Sequence, residues 1–84
     1  MRSMKVRLLF FAVLRDVVGT GERELELGEG TTAGDVWQSL RHSYTKLAAY
    51  TQPPLVAINE SYAAADAVLE DGDELAFIPP VAGG

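Results

Sequence analysis

The sequence predicts an α+β domain: a mixed sheet with one main helix packed on one face and a flexible C-terminal Gly-Gly tail. Three observations carry that prediction. Period-two patterns with aromatic and β-branched residues stand near both ends of the chain, at Met4 to Phe11 and Glu74 to Ile78, and such alternation makes strands. Between them Val36, Trp37, Leu40, Tyr44 and Leu47 recur at helical spacing, which marks the main amphipathic helix. Finally, an early hairpin-like pair of strands precedes that helix and further strands return after it, the order expected of an α+β sheet rather than of alternating βαβ units.

Each element has its own local reason. In the first strand Val6, Leu8 and Phe10 share one face, and Arg7, Leu9 and Phe11 the other. Ala12 to Val18 reads as a short helix closed by Gly19. Glu22 to Leu27 alternates Leu25 and Leu27 against Glu24 and Glu26, so this part of the sheet is covered on one side only. Gly28-Glu29-Gly30 is a turn, and Thr32 with Asp35 three residues later is a short version of a capping box. The main helix should fade near Tyr50, before Pro53-Pro54, where proline forbids continuation. Leu55 to Asn59 is a strand with Val56 and Ile58 inward, and Ser61 to Val68 combines a short edge strand with a tight turn. Asp71-Gly72-Asp73 is a turn signal ahead of the last strand, in which Leu75 and Phe77 point inward.

Size and composition narrow the function classes. The 84 residues make one domain over 1–78, with an extended tail over 79–84. A net charge of −5 argues against nucleic acid and anionic membrane as partners, because both are negative. The apolar run from Leu8 to Leu14 is far shorter than the roughly 20 residues of a membrane span. It also lacks a signal-peptide cleavage site, so a cytoplasmic location is expected. There is no cysteine, hence no disulfide, thiolate metal site or cysteine nucleophile. Met1, Arg2 and Ser3 precede a second methionine, Met4, and read as a frayed extension or a misplaced start.

The inventory for catalysis is thin, and no metal site is expected. His42, the only histidine, lies off the apolar stripe of the helix and reads as a solvated surface residue. Asp71 and Asp73 lack the twelve-residue frame of a calcium loop. The glycines at 28, 30 and 34 are not followed by the Lys-Ser/Thr of a phosphate loop. No serine sits in a nucleophile elbow. The chain is not expected to carry its own active site.

Two features exceed an ordinary small domain. The first is the end of the chain, where Gly83 and Gly84 lack Cβ atoms and can thread a narrow channel. Pro79-Pro80 upstream stiffens the tail in an extended form. The reactive group at the tip is the α-carboxylate of Gly84, a poor electrophile until adenylated and then open to attack by an amine, a thiol or a sulfide. Against this stands the plain reading of a frayed end. The second feature is the uncovered sheet face. Leu9, Phe11, Ala76 and Ile78 point away from the helix, and Tyr62 can join them. If the first and last strands lie side by side, these residues merge into one apolar partner surface.

These residues are similar to a known family. Lys5-Val6-Arg7-Leu8-Leu9-Phe10-Phe11-Ala12, Leu14-Arg15-Asp16, Val56-Ala57-Ile58-Asn59-Glu60, and the whole stretch from Leu69-Glu70-Asp71-Gly72-Asp73-Glu74 through Phe77-Ile78-Pro79-Pro80 to Gly83-Gly84 resemble the MoaD/ThiS family of ubiquitin-like β-grasp proteins. The resemblance runs from Met4 to Gly84. It implies a ubiquitin-like β-grasp fold and a sulfur carrier, the small subunit of molybdopterin synthase. In that scheme a MoeB-like adenylating enzyme uses ATP on Gly84, and a sulfurtransferase supplies sulfur to form a thiocarboxylate. The tail (Pro80, Val81, Ala82, Gly83) then enters a MoaE-like large subunit, in a heterotetramer, where cyclic pyranopterin monophosphate becomes molybdopterin. The resemblance also implies that the chain alone is no enzyme and binds no cofactor, and that Phe11, Tyr62 and Ile78 form the docking surface. Ile78 departs from the family pattern, which often has an aromatic there.

Other readings share the same tail chemistry. A ThiS-like carrier for thiazole synthesis usually lacks the short helix that Ala12 to Val18 forms here. A carrier for another sulfur pathway needs only a different partner. A ubiquitin-like modifier would join Gly84 to a lysine, and a plain interaction module would not need Gly84 at all.

Overall fold

The alternation near the N-terminus becomes strand β1 (Ser3–Phe10). Met4, Val6, Leu8 and Phe10 are all buried, whereas Lys5 and Arg7 are exposed on the opposite face. A computed structural model of the chain describes residues 3–49 and 54–78. Helix α1 (Ala12–Val18) follows and ends where Gly19, at φ +90°, donates its N–H to the Arg15 carbonyl, a left-handed cap that glycine takes without a Cβ penalty. Strand β2 (Glu22–Gly28) then pairs antiparallel with β1, setting Leu25 opposite Val6 and Leu27 opposite Met4.

The capping box forms as expected. The Asp35 N–H donates to Thr32 Oγ1 at 3.1 Å and the Thr32 N–H to Asp35 Oδ2 at 3.0 Å, opening helix α2 (Ala33–Ser43). Val36, Trp37 and Leu40 line its buried face, with Leu14 of α1 and Leu47 completing the core over the sheet.

After the helix come β3 (Leu55–Ile58), the short β4 (Ser61–Ala63) and β5 (Glu74–Ile78). The five strands lie in the order β2-β1-β5-β3-β4. The first and last strands are therefore neighbours, parallel at the centre of the sheet, with Leu8 beside Leu75 and Phe10 beside Phe77. β5 is the middle strand of the five, and its three central residues are all buried, while three-residue β4 closes one edge, a length that limits further pairing.

Two expectations are corrected. The main helix does not run toward Tyr50. It stops at Ser43, Tyr44 turns extended (φ −118°, ψ 104°), and a 3-10 helix covers Thr45–Ala49. The break carries Leu47 fully into the core, and the Arg41 guanidinium holds the turn by donating to the Ala48 carbonyl at 3.2 Å. Helical spacing cannot separate this from a straight helix, because the same apolar residues serve both. Ser3 is likewise no frayed end: it pairs with Gly28, and its Oγ donates to Glu26 at 3.2 Å. The tail over 79–84, with Tyr50 and Pro53, lies outside the described residues.

Candidate docking site

The sheet face turned away from α2 is assembled by register. Leu9 of β1 stands beside Ala76 of β5, Ala76 opposite Ala57 of β3, and Ala57 opposite Tyr62 of β4. Ala57 and Ala76 are small and almost wholly buried, so they form a floor between larger walls. Leu9, Phe11, Tyr62 and Ile78 rise around it, with Glu60 and Glu74 at one side, to enclose a hollow of about 280 Å³. Phe11 is 47% exposed and Tyr62 76%, a clustering of large apolar surface that monomeric proteins rarely leave uncovered. The three residues expected to form the partner surface are thus brought together, and Leu9 and Ala76 with them.

Local backbone places Phe11. It is the extended N-cap of α1 (φ −121°, ψ 152°) and not a helical residue, and Ala12 after it sits at φ +51°. An L-residue in that left-handed region costs about 1–2 kcal/mol. The kink lets the chain leave β1 for α1 while Phe11 stays on the groove.

A second set of residues was not singled out by sequence reasoning. Asn59 and Glu60 join β3 to β4 with φ +51° and +71°, two left-handed residues that make a hairpin turn matched to the sheet twist. Asn59 ties this turn to the head of β5: its Nδ2 donates to Asp73 Oδ1 at 2.8 Å and its Oδ1 accepts from the Glu74 N–H at 3.0 Å. Beside it lies an open polar hollow of about 470 Å³ lined by Lys5, Arg7, Glu24, Asn59, Glu60 and Asp73, among others. Arg7 reaches Glu22 at 3.4 Å and Glu74 at 3.5 Å there. The asparagine was a legible signal, since it is a residue that tolerates φ > 0.

The Asp71-Gly72-Asp73 segment is a turn, as its sequence suggests. Gly72 adopts φ +87° and donates to the Lys5 carbonyl. Asp71 Oδ1 accepts from the Lys5 N–H and Asp73 Oδ2 from the Glu70 N–H, each at 2.8 Å. Asp71 thus fixes the turn against β1, while Asp73 closes the turn on Glu70 and also accepts from Asn59 Nδ2. His42 is exposed on α2. Pro80, Val81, Ala82, Gly83 and Gly84 lie outside the described residues, and in the sequence one residue, Pro79, separates them from Ile78 on the groove wall. Among the described residues no helix is long and apolar enough to cross a membrane.

One main helix laid across a five-stranded mixed sheet, with parallel first and last strands at its centre, is the ubiquitin-like β-grasp architecture. Two solved structures share it closely. The Haloferax volcanii HVO 2177 protein superposes with a TM-score of 0.85 at 33% identity, covering 98% of this chain and 88% of that one. A putative molybdopterin converting factor subunit 1 from Pyrococcus furiosus gives a TM-score of 0.81 at 29% identity, covering 93% of this chain and 99% of that one. The molybdopterin synthase sulfur carrier subunit of Mycobacterium tuberculosis is 39% identical over 82 residues, covering 96% of this chain and 99% of the relative. The ThiS family profile matches residues 8–84. The chain belongs to the ThiS family, the MoaD/ThiS group of β-grasp proteins.

Proposed function

We propose that this chain is the sulfur carrier subunit of a molybdopterin synthase. The observation that carries the reading is the apolar groove of Leu9, Phe11, Tyr62 and Ile78: it gives a partner a docking face on the strand that leads into the Gly-Gly tail. Similarity to the M. tuberculosis carrier over nearly its whole length supports the same reading. The word "subunit" in that protein's name fits a larger partner docked on the groove.

In this function the domain over 1–78 is the handle and the tail over 79–84 is the working part. An adenylating enzyme of the MoeB type joins the Gly84 carboxylate to AMP from ATP, releasing pyrophosphate. The terminal sulfur of a sulfurtransferase persulfide attacks the acyl-adenylate and displaces AMP, and a thiol then reduces the resulting acyl disulfide, leaving a thiocarboxylate on Gly84. The groove then docks on a MoaE-like large subunit, and Pro80, Val81, Ala82 and Gly83 carry the sulfur to cyclic pyranopterin monophosphate. The partners supply ATP binding and the catalytic residues, so the chain itself needs no cofactor. Its place is the cytoplasm, where these partners work.

Intact mass spectrometry after incubation with the adenylating enzyme, ATP and a sulfur donor tests the proposal. The expected result is a mass gain equal to exchanging one oxygen for sulfur, abolished by deleting Gly84 while the fold is unchanged. An unmodified mass, with an enzyme that loads another carrier under the same conditions, would overturn it. An isopeptide bond from Gly84 to lysines of cellular proteins would replace it with the modifier reading.

A further inference from the structure

We infer that Glu60 sets the specificity of the docking face, by pairing with a basic side chain that the large subunit presents beside an apolar one. The inference rests on the sulfur-carrier reading and adds to it the chemistry of the partner surface. The groove has an apolar floor and rim, and the charged residues lining it are Glu60 and Glu74, both acidic. They are not equivalent. Glu74 Oε2 is already shared with Arg7 Nη1 at 3.5 Å, whereas among the described residues Glu60 has no hydrogen-bond or ion-pair partner. Its side chain is exposed and lines the apolar groove and the polar hollow alike, standing where the two meet.

The position is also a costly one for glutamate. Glu60 is the second left-handed residue of the β3–β4 turn, at φ +71°, where glycine is the favoured occupant. Asn59 secures the turn to β5 through its side-chain amide and through its backbone N–H, which donates to the Glu74 carbonyl at 2.8 Å, and among the described residues the Glu60 carboxylate adds no hydrogen bond to the hairpin. What it offers is an unneutralised charge on the wall of an apolar groove, in a protein whose net charge is −5. An aliphatic or aromatic side chain seated over Ala57 and Ala76, flanked by an arginine or lysine, complements it. Charge of this kind at an interface rim speeds association and rejects partners of the wrong sign.

The test is binding of the full chain and its Glu60 variants to the large synthase subunit of the same organism, by titration calorimetry at low and high salt, with thermal melts of each variant. Glu60→Gln is expected to weaken binding about three- to tenfold at low salt, the gap closing as salt screens the pair. Glu60→Lys is expected to weaken it further. Glu60→Gly is expected to melt at a higher temperature than the parent and yet bind as poorly as Glu60→Gln, a combination that a purely structural role cannot produce. If Glu60→Gln and Glu60→Gly both bind like the parent at every salt concentration, the inference is overturned and the carrier reading stands. It is equally overturned if Glu60→Gly alone loses affinity, because turn geometry then matters and charge does not. A parent chain that does not bind the large subunit overturns both.

Discussion

The rings of Trp37 and Phe77 meet at 45° with centroids 5.4 Å apart, joining the middle of α2 to the last strand. Phe77 is fully buried there, and Ile78, the next residue, turns to the opposite face and walls the groove. Because successive side chains of a strand alternate, core packing on one side fixes where the apolar groove stands on the other.

Phe77→Ala should therefore cost about 3–5 kcal/mol, much of the roughly 5–15 kcal/mol that holds a small domain together. Urea unfolding should show the midpoint collapsing. Ile78→Ala, on the groove side and half-buried, should leave that midpoint nearly in place and lower affinity for the large subunit instead.

Phe11 and Tyr62 project into solvent at the groove's rim. Phe11→Asp and Tyr62→Ala should each change stability by no more than about 0.5–1 kcal/mol. If these aromatics are the anchors of the docking face, each loss should weaken binding by roughly 2 kcal/mol or more, about thirtyfold. Calorimetry against the large subunit reads the second effect and urea titration the first. Unchanged binding by both variants would move the interface elsewhere.

Ala12 holds φ +51° at the start of α1. Glycine adopts that conformation freely, so Ala12→Gly should raise stability by roughly 0.5–1 kcal/mol, and β-branched Ala12→Val should lower it by more than that. Denaturant midpoints of the two variants, moving in opposite directions from the parent, check the assignment of strain.

Asn59 links the β3–β4 turn to Asp73 and Glu74 through two hydrogen bonds of its amide. Asn59→Ala removes both and puts a less tolerant residue at positive φ, at a cost of about 2 kcal/mol. For a domain of this size that is a drop of roughly 10 °C in the melting temperature. Asn59→Asp keeps the acceptor for the Glu74 N–H but sets a carboxylate oxygen against Asp73 Oδ1, so it should be no more stable than Asn59→Ala.

Much of the fold was legible because it is written in short-range patterns. The bounds of α1 and its Gly19 cap, the Thr32–Asp35 capping box, and the inward sets Val6, Leu8 and Phe10, then Leu75 and Phe77, follow from periods of two and 3.6 and from end residues. That Leu9, Phe11, Tyr62 and Ile78 share the outer face was legible for the same reason: the outward residues of a strand are known once the inward ones are. The break at Tyr44 was not, because the pattern Leu40, Tyr44, Leu47 fits a straight helix as well as a helix followed by a 3-10 turn, and burial of Leu47 decides between them. The polar hollow was missed because Lys5, Arg7, Asn59 and Asp73 are ordinary surface residues until the sheet brings them together.

By itself, then, the sequence determined the α+β class, the faces of the strands, the caps and the likeness to the MoaD/ThiS family, which rests on segments from Lys5 to Gly84. Tertiary structure alone decided that β5 lies between β1 and β3, that Ala57 and Ala76 make the floor of a groove, and that Glu60 stands on its wall. The division has a physical cause. Periodicity and capping act over a few residues, whereas strand order is chosen by burying Leu8, Leu75 and Phe77 against α2 all at once, a condition on residues from both ends of the chain that no local stretch can express.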